Sequence, residues 1–178
     1  MSNISNAWGN ETRQRAHDVG DQAKVYAARM RMQNAHDQAD ALDGIREIAG
    51  NLIGSEELAV FKVDKKRSEL WLYWSFGVDP NKHAVLDVSR EPKLKQVMGG
   101  KSVFRLRTSK DNLLSTDDPV SALIPIRLDG ATIAVIVLFR LFPHKAKLEP
   151  VDHEICEVLS NFGGRAIEPH REARGKRF

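Results

Sequence analysis

The residues of this chain whose types could do chemistry are six histidines, one cysteine, a tryptophan pair at Trp71 and Trp74, and two arginines at Arg105 and Arg107. None of His17, His36, His83, His144, His153 and His170 pairs with another at the i, i+4 helical spacing that lets two imidazoles share a metal ion, so no metal site is expected. The single cysteine, Cys156, excludes an intramolecular disulfide and a four-cysteine zinc site. It stands between Ile155 and Glu157 in a helical apolar pattern and reads as structural. Thiol catalysis needs an accessible thiolate and a resolving partner. Gly99-Gly100-Lys101-Ser102 lacks the rest of a phosphate loop and precedes a strand rather than a helix. No Gly-x-Ser-x-Gly or His-Glu-x-x-His motif occurs. The paired acids Glu56-Glu57 and Asp117-Asp118 read as solvated loop charges. The expectation is that the chain is not an enzyme and carries no cofactor.

What is left is a set of residues that could bind. Trp71, Tyr73 and Trp74 suit a site that is half apolar and half wet, and equally suit the core side of a sheet, which is the plainer reading. His83 reads either as a turn histidine or as a pocket residue. Arg105 and Arg107 fit an anionic ligand or a partner's carboxylates, and also fit the charged protection of an edge strand. The candidate ligand-binding set is therefore Trp71, Trp74, His83, Arg105 and Arg107.

These residues must be positioned by a small number of elements. Val120–Leu128 and Ala131–Phe142 are two β-branched apolar runs that meet at Asp129-Gly130, a strong hairpin signal. The second run is apolar at odd and even positions alike from Ile133 to Leu138, so both faces of that strand must be covered. Leu58–Val63 and Glu69–Phe76 read as strands. In the latter, period-2 alternation sets Leu70, Leu72, Trp74 and Phe76 on one face and Trp71, Tyr73 and Ser75 on the other. Pro92–Met98 reads as a short helix, 102–106 as an edge strand, and Val151–Ile167 as a last helix with one apolar stripe. Gly163-Gly164 is a point where that helix could fray or bend. Glu11–Ile53 has no proline and reads as one long helix ending at Gly54. Val25, Ala28, Met32, Ala35, Ala39 and Leu42 recur at alternating three- and four-residue spacing, a heptad-like seam. The seam either lies on its own domain or dimerises, and dimerisation is the favoured reading.

The net charge of +3 resides in the stretch 165–178, which holds five Lys/Arg against two Glu. The remainder is balanced, which argues against a nucleic-acid face, and the tail reads as a solubilising end. No apolar run approaches the roughly 20 residues of a membrane helix. No secretory leader is visible in the first ten residues. With a lone cysteine, this fits a cytoplasmic setting.

Leu42–Ile53 leading into Leu58–Val63, the segment Leu94–Val103, the run Ser121–Leu138 and the closing helix together resemble a GAF domain over residues 40–168. The PAS fold is the nearest alternative. The Gly-Lys-Ser-Val segment and the long end helices favour GAF. The resemblance implies an α+β fold: a central antiparallel sheet of five to six strands, N- and C-terminal helices on one face, and a loop and helix crossover lobe on the other. It implies a pocket roofed by the crossover, which in different members holds cyclic nucleotides, tetrapyrroles, haem, small metabolites or nothing. A bilin-type cysteine in the crossover is missing here. The cyclic-nucleotide signature is matched only at Asn81-Lys82, since Thr108-Ser109 stands where Asp-Glu belongs. The methionine sulfoxide reductase type needs several pocket cysteines. The expected organisation is a disordered 1–10, a helical extension 11–40, a GAF-like domain 41–168 and a basic tail 169–178. The expected function is a non-catalytic signalling or regulatory module that homodimerises through its terminal helices and engages an unidentified signalling protein. The alternative is a small-molecule sensor, with a thiol redox enzyme third.

Overall fold

The computed structural model describes residues 4–105 and 113–168. Arg107 and the basic tail 169–178 lie outside the described residues. The elements are α1 (Ile4–Gln33), α2 (Gln38–Ile48), β1 (Leu58–Asp64), β2 (Glu69–Phe76), β3 (Val85–Asp87), α3 (Pro92–Met98), β4 (Val103–Phe104), β5 (Ala122–Leu128), β6 (Ala131–Leu138) and α4 (Pro150–Ile167).

The hairpin anchors the sheet. Asp129 and Gly130 turn with φ of +50° and +79°, backbone angles that Asp and Gly tolerate best. β5 and β6 pair antiparallel from Ala122↔Leu138 to Leu128↔Ala131. β1 joins the other side of β6, Leu58 opposite Leu138. The six strands run in the order β3-β2-β1-β6-β5-β4, and every pairing is antiparallel. One face carries Val60, Ile124, Ile126 and Ile136 against α1, α2 and α4. The other carries Phe61, Leu123, Val135 and Val137 under Leu94 and Val97 of α3 and the loop residues Leu113, Leu114 and Val120. Residues 134–138 are all buried, as a strand with two apolar faces requires. The α+β arrangement expected from the sequence is the one observed.

Three local expectations are corrected. The long helix is two helices, separated at Asn34–Asp37. Asp37 caps the second, its side chain accepting from the Asp40 N–H at 2.8 Å, while the Asp40 carboxylate accepts from the His36 N–H at 2.9 Å. Polar groups that satisfy the free N–H groups of a helix start make a break there cheap. The first helix also begins at Ile4 rather than Glu11, so the expected disordered stretch 1–10 is helical from residue 4. No proline intervenes to stop it.

The second correction concerns β2. The register with β1 slips between Val60 and Phe61, so that Val60 faces Trp74 while Phe61 faces Leu72. One additional residue in a strand sends every later side chain to the opposite face. Leu70 and Leu72 therefore join the crossover-side core, whereas Trp74 packs on the helix-side core.

The third concerns Gly163-Gly164. They lie inside α4 and are its point of closest approach to β5. A methyl group on Gly164 would fall within contact distance of the Arg127 carbonyl oxygen, whereas one on Gly163 would meet Ile126 Cγ2 at an ordinary 3.4 Å. Gly164→Ala is expected to lower stability by about 1–3 kcal/mol, because the backbone of β5 must move. Gly163→Ala should be neutral or gain up to about 1 kcal/mol from the better helix former. Urea unfolding of the two variants reads the contrast, and equal stabilities would refute the close approach.

Candidate functional site

The crossover lobe is positioned by a 3-10 turn, Pro80–His83, and by the loop that precedes β5. Pro80 starts the turn and Asp79 caps it, accepting from the Asn81 N–H at 3.0 Å. The turn delivers His83 into the lobe, where it is 5% exposed and its ring lies 5.0 Å from that of Phe139. Its Nε2 is 2.8 Å from Asp118 Oδ2. The hydrogen bond from His83 is the main reason the Asp118 carboxyl sits below its ordinary value; partial burial opposes this, and Lys82 and Arg140 add to it. A cleft of about 790 Å³ opens beside the pair, bordered by Lys82, Glu91, Leu114, Thr116 and Asp117. The Ser115 N–H donates to Glu91 Oε1 at 2.8 Å, tying this loop to the start of α3. His83–Asp118 is thus a clasp between turn and loop at the rim of a lobe whose interior is packed with Leu94, Val97, Leu113 and Leu114.

The five residues expected to share a pocket are not brought together. Only His83 faces this cleft. Trp74 is carried to the helix side by the β2 bulge. Trp71 is 43% exposed, and its cross-strand partner on β3 is Val85. Arg105 borders a separate groove with Arg140 and Lys145–Leu148. Arg107 falls outside the described residues. Asp118, read from sequence as a solvated loop charge, is the site residue that sequence reasoning missed. Its signal lay only in the fold, since 35 residues separate it from His83.

Trp71, Tyr73 and Phe76 instead form an exposed aromatic face with Val85, and each ring carries a cation. Lys62 Nζ is 4.0 Å from the Tyr73 ring centre, Arg46 Cζ 5.3 Å from that of Phe76, and Arg67 Cζ 5.9 Å from that of Trp71. Such contacts stabilise by about 0.5–1 kcal/mol when exposed.

The heptad-like seam is largely used within the chain. Ala28, Met32 and Leu42 are buried in the helix-side core and Val25 packs against it; Ala35 is half-buried and Ala39 exposed. Opposite this inner face, Ala16, Val19, Ala23, Tyr26 and Met30 repeat at the same spacing on the outer face of α1. Val19 and Tyr26 there are 67% and 64% exposed. Cys156 is fully buried in the helix-side core, across the sheet from the crossover cleft. Burial pushes its thiol pKa far up, so the nucleophilic thiolate is suppressed. Among the described residues no group of three His, Cys, Asp or Glu could hold a metal ion, and no helix is long and apolar enough to cross a membrane.

The clasp sets a pH dependence. Asp118 titrates lower folded than unfolded. The stability it contributes is therefore present above the unfolded carboxylate pKa of about 4 and lost as the pH falls through the folded value. Asp118→Asn is expected to be less stable than the parent near neutrality, and the two should converge as the acid limb is descended. Urea midpoints across that range test this; parallel curves would refute it.

No family model matches the chain, and neither does any curated protein. Solved structures do. The GAF domain of an Acinetobacter phosphoenolpyruvate-protein phosphotransferase superposes with a TM-score of 0.62 at 14% identity, covering 83% of this chain and 92% of that one. The corresponding GAF domain from Coxiella burnetii gives 0.59 at 13% identity, covering 84% and 93%. A free methionine-R-sulfoxide reductase from Neisseria meningitidis, solved with its substrate, gives 0.58 at 17% identity, covering 83% and 89%. At such identities the likeness is one of fold alone. The strand order, the helices behind the sheet and the crossover in front of it are those of a GAF domain, and that is the fold this chain adopts.

Proposed function

We propose that the chain is a non-catalytic regulatory module that works through protein contacts: a homodimer built on α1 and a second partner held by the β2–β3 face. One observation carries this reading. All six exposed large apolar side chains among the described residues fall on those two surfaces: Val19 and Tyr26 on α1, and Trp71, Tyr73, Phe76 and Val85 on β2 and β3. Apolar groups gathered on defined faces mark contact surfaces more often than scattered ones do. The seam inferred from sequence lies one face away from the surface that serves the dimer here, because Ala28, Met32 and Leu42 are taken up by the chain's own core.

The partner of the β2–β3 face is assigned by charge. Arg46, Lys62 and Arg67 sit on its rings, and Lys65 and Lys66 adjoin it in the β1–β2 turn. The complement is a protein segment presenting apolar side chains flanked by carboxylates. The packed crossover interior, together with a buried Cys156 that has no second cysteine to resolve it, favours contact over chemistry.

Val19→Glu/Tyr26→Glu is expected to convert a dimer into a monomer that keeps the parent's folded circular dichroism spectrum, read by sedimentation velocity at micromolar concentration. A monomeric parent chain would end the dimer reading. Trp71→Ser/Phe76→Ser should remove partners that the parent retains from cell extract. An identical captured set would end the assignment of that face.

A small-molecule sensor is the second reading, favoured by the buried His83–Asp118 pair beside an open cleft. A bound species released in native mass spectrometry, and absent from His83→Ala, would support it. A bare polypeptide mass would count against it.

A further inference from the structure

A second groove, of about 350 Å³, lies at the end of the sheet where β4, β5 and β6 meet the loop into α4. Among the described residues its border holds four cations, Arg105, Arg140, Lys145 and Lys147, and no carboxylate. One of the four is already neutralised. Lys145 Nζ is 2.8 Å from Asp152, whose carboxylate is buried, and it also donates to the Ile53 carbonyl. The other three are exposed and no acid among the described residues pairs with them. The acid that Arg140 does influence, Asp118, is engaged by His83.

The backbone under these side chains is fixed from several directions. The Arg105 N–H donates to the Ser121 carbonyl at 3.0 Å. The Ser121 hydroxyl donates to the Phe139 carbonyl at 2.6 Å, and the Ser55 hydroxyl donates to the Arg140 carbonyl at 2.9 Å. The Phe142 N–H reaches the Gly54 carbonyl at 2.8 Å, and the Lys145 N–H reaches the Phe142 carbonyl at 2.9 Å. Three like charges held around one concavity repel one another unless an anion enters. Two of them are guanidinium groups, whose planar fork matches the oxygens of a phosphoryl group. Leu141 and Leu148 supply apolar surface in the same groove. The volume is that of a small-metabolite site.

We infer that this groove binds a compact phosphorylated small molecule, its phosphoryl oxygens on Arg105, Arg140 and Lys147 and its carbon body against Leu141 and Leu148. A multiply charged anion is required, because a single carboxylate would leave two of the three charges unmatched. This site is separate from the His83–Asp118 cleft and does not depend on either functional reading above.

The test uses the full chain, isotope-labelled, titrated at constant ionic strength with pyrophosphate and, separately, with citrate. Expected are saturable amide shifts confined to residues 105, 120–121, 140–142 and 144–148, with at least a tenfold loss of pyrophosphate affinity in Arg140→Gln/Lys147→Gln. Lys66→Gln, remote from the groove, should bind as the parent does. Both replaced side chains are exposed, and a dispersed spectrum verifies that the variant is folded. Shifts that stay linear, spread over all basic surfaces or persist undiminished in the double variant would overturn the site. Citrate binding as tightly as pyrophosphate would overturn the phosphoryl assignment.

Discussion

β6 has no solvent face, and the rest of the molecule follows from that. From Ala134 to Leu138 every side chain is buried, alternately toward the helices and toward the crossover. Each fully buried Ile, Val or Leu contributes roughly 1.5–3 kcal/mol relative to exposure. A sheet with such a centre must be covered twice. α4 and α2, with α1 packed on both, meet the first demand and α3 with the loop 113–120 the second. The close packing of the helix layer shows at Gly164, where the α4 backbone approaches β5 too closely for a side chain to intervene.

Double coverage also decides what the crossover is for. Its apolar residues, Leu94, Val97, Leu113 and Leu114, are spent in covering β1, β5 and β6. The polar groups are pushed to the rim, where His83 and Asp118 join the 3-10 turn to the loop. Meanwhile the helices that cover the other face centre on β5, β6 and β1, and the outer strands β2 and β3 keep Trp71, Tyr73, Phe76 and Val85 at the surface. Surface chemistry is therefore concentrated where the second layer ends. At that edge each of the rings of Trp71, Tyr73 and Phe76 carries a cation, which covers part of its apolar surface.

Sequence periodicity reached the sheet because its strongest signals are local. Asp129-Gly130 turns the hairpin, and the two-sided apolar run at 133–138 announces a buried centre. α3 and α4 start with prolines at their first positions, another local signal. The failures share a different cause. The β2 bulge leaves no residue-type mark: nothing in Leu70–Phe76 distinguishes a strand that alternates throughout from one that slips once, so alternation groups Trp74 with Leu70 and Leu72 where the fold parts them. The heptad rhythm of α1 was real but doubled. A second stripe with the same spacing runs along the outer face of α1, and only packing on α4 and α2 identifies the inner one, whose last members Ala39 and Leu42 lie on α2. Arg105 and His83 are both loop-proximal and polar, yet the fold sends them to different concavities.

The same geometry takes Cys156 out of reach as a nucleophile. The fold places α4 behind the sheet, and Cys156 belongs to the stripe by which α4 adheres to it. To act as a nucleophile there, the thiol would have to leave a core that its own methylene helps to fill, and ionise against the field of Asp152 and Glu157. Stability and thiolate reactivity are opposed at that position.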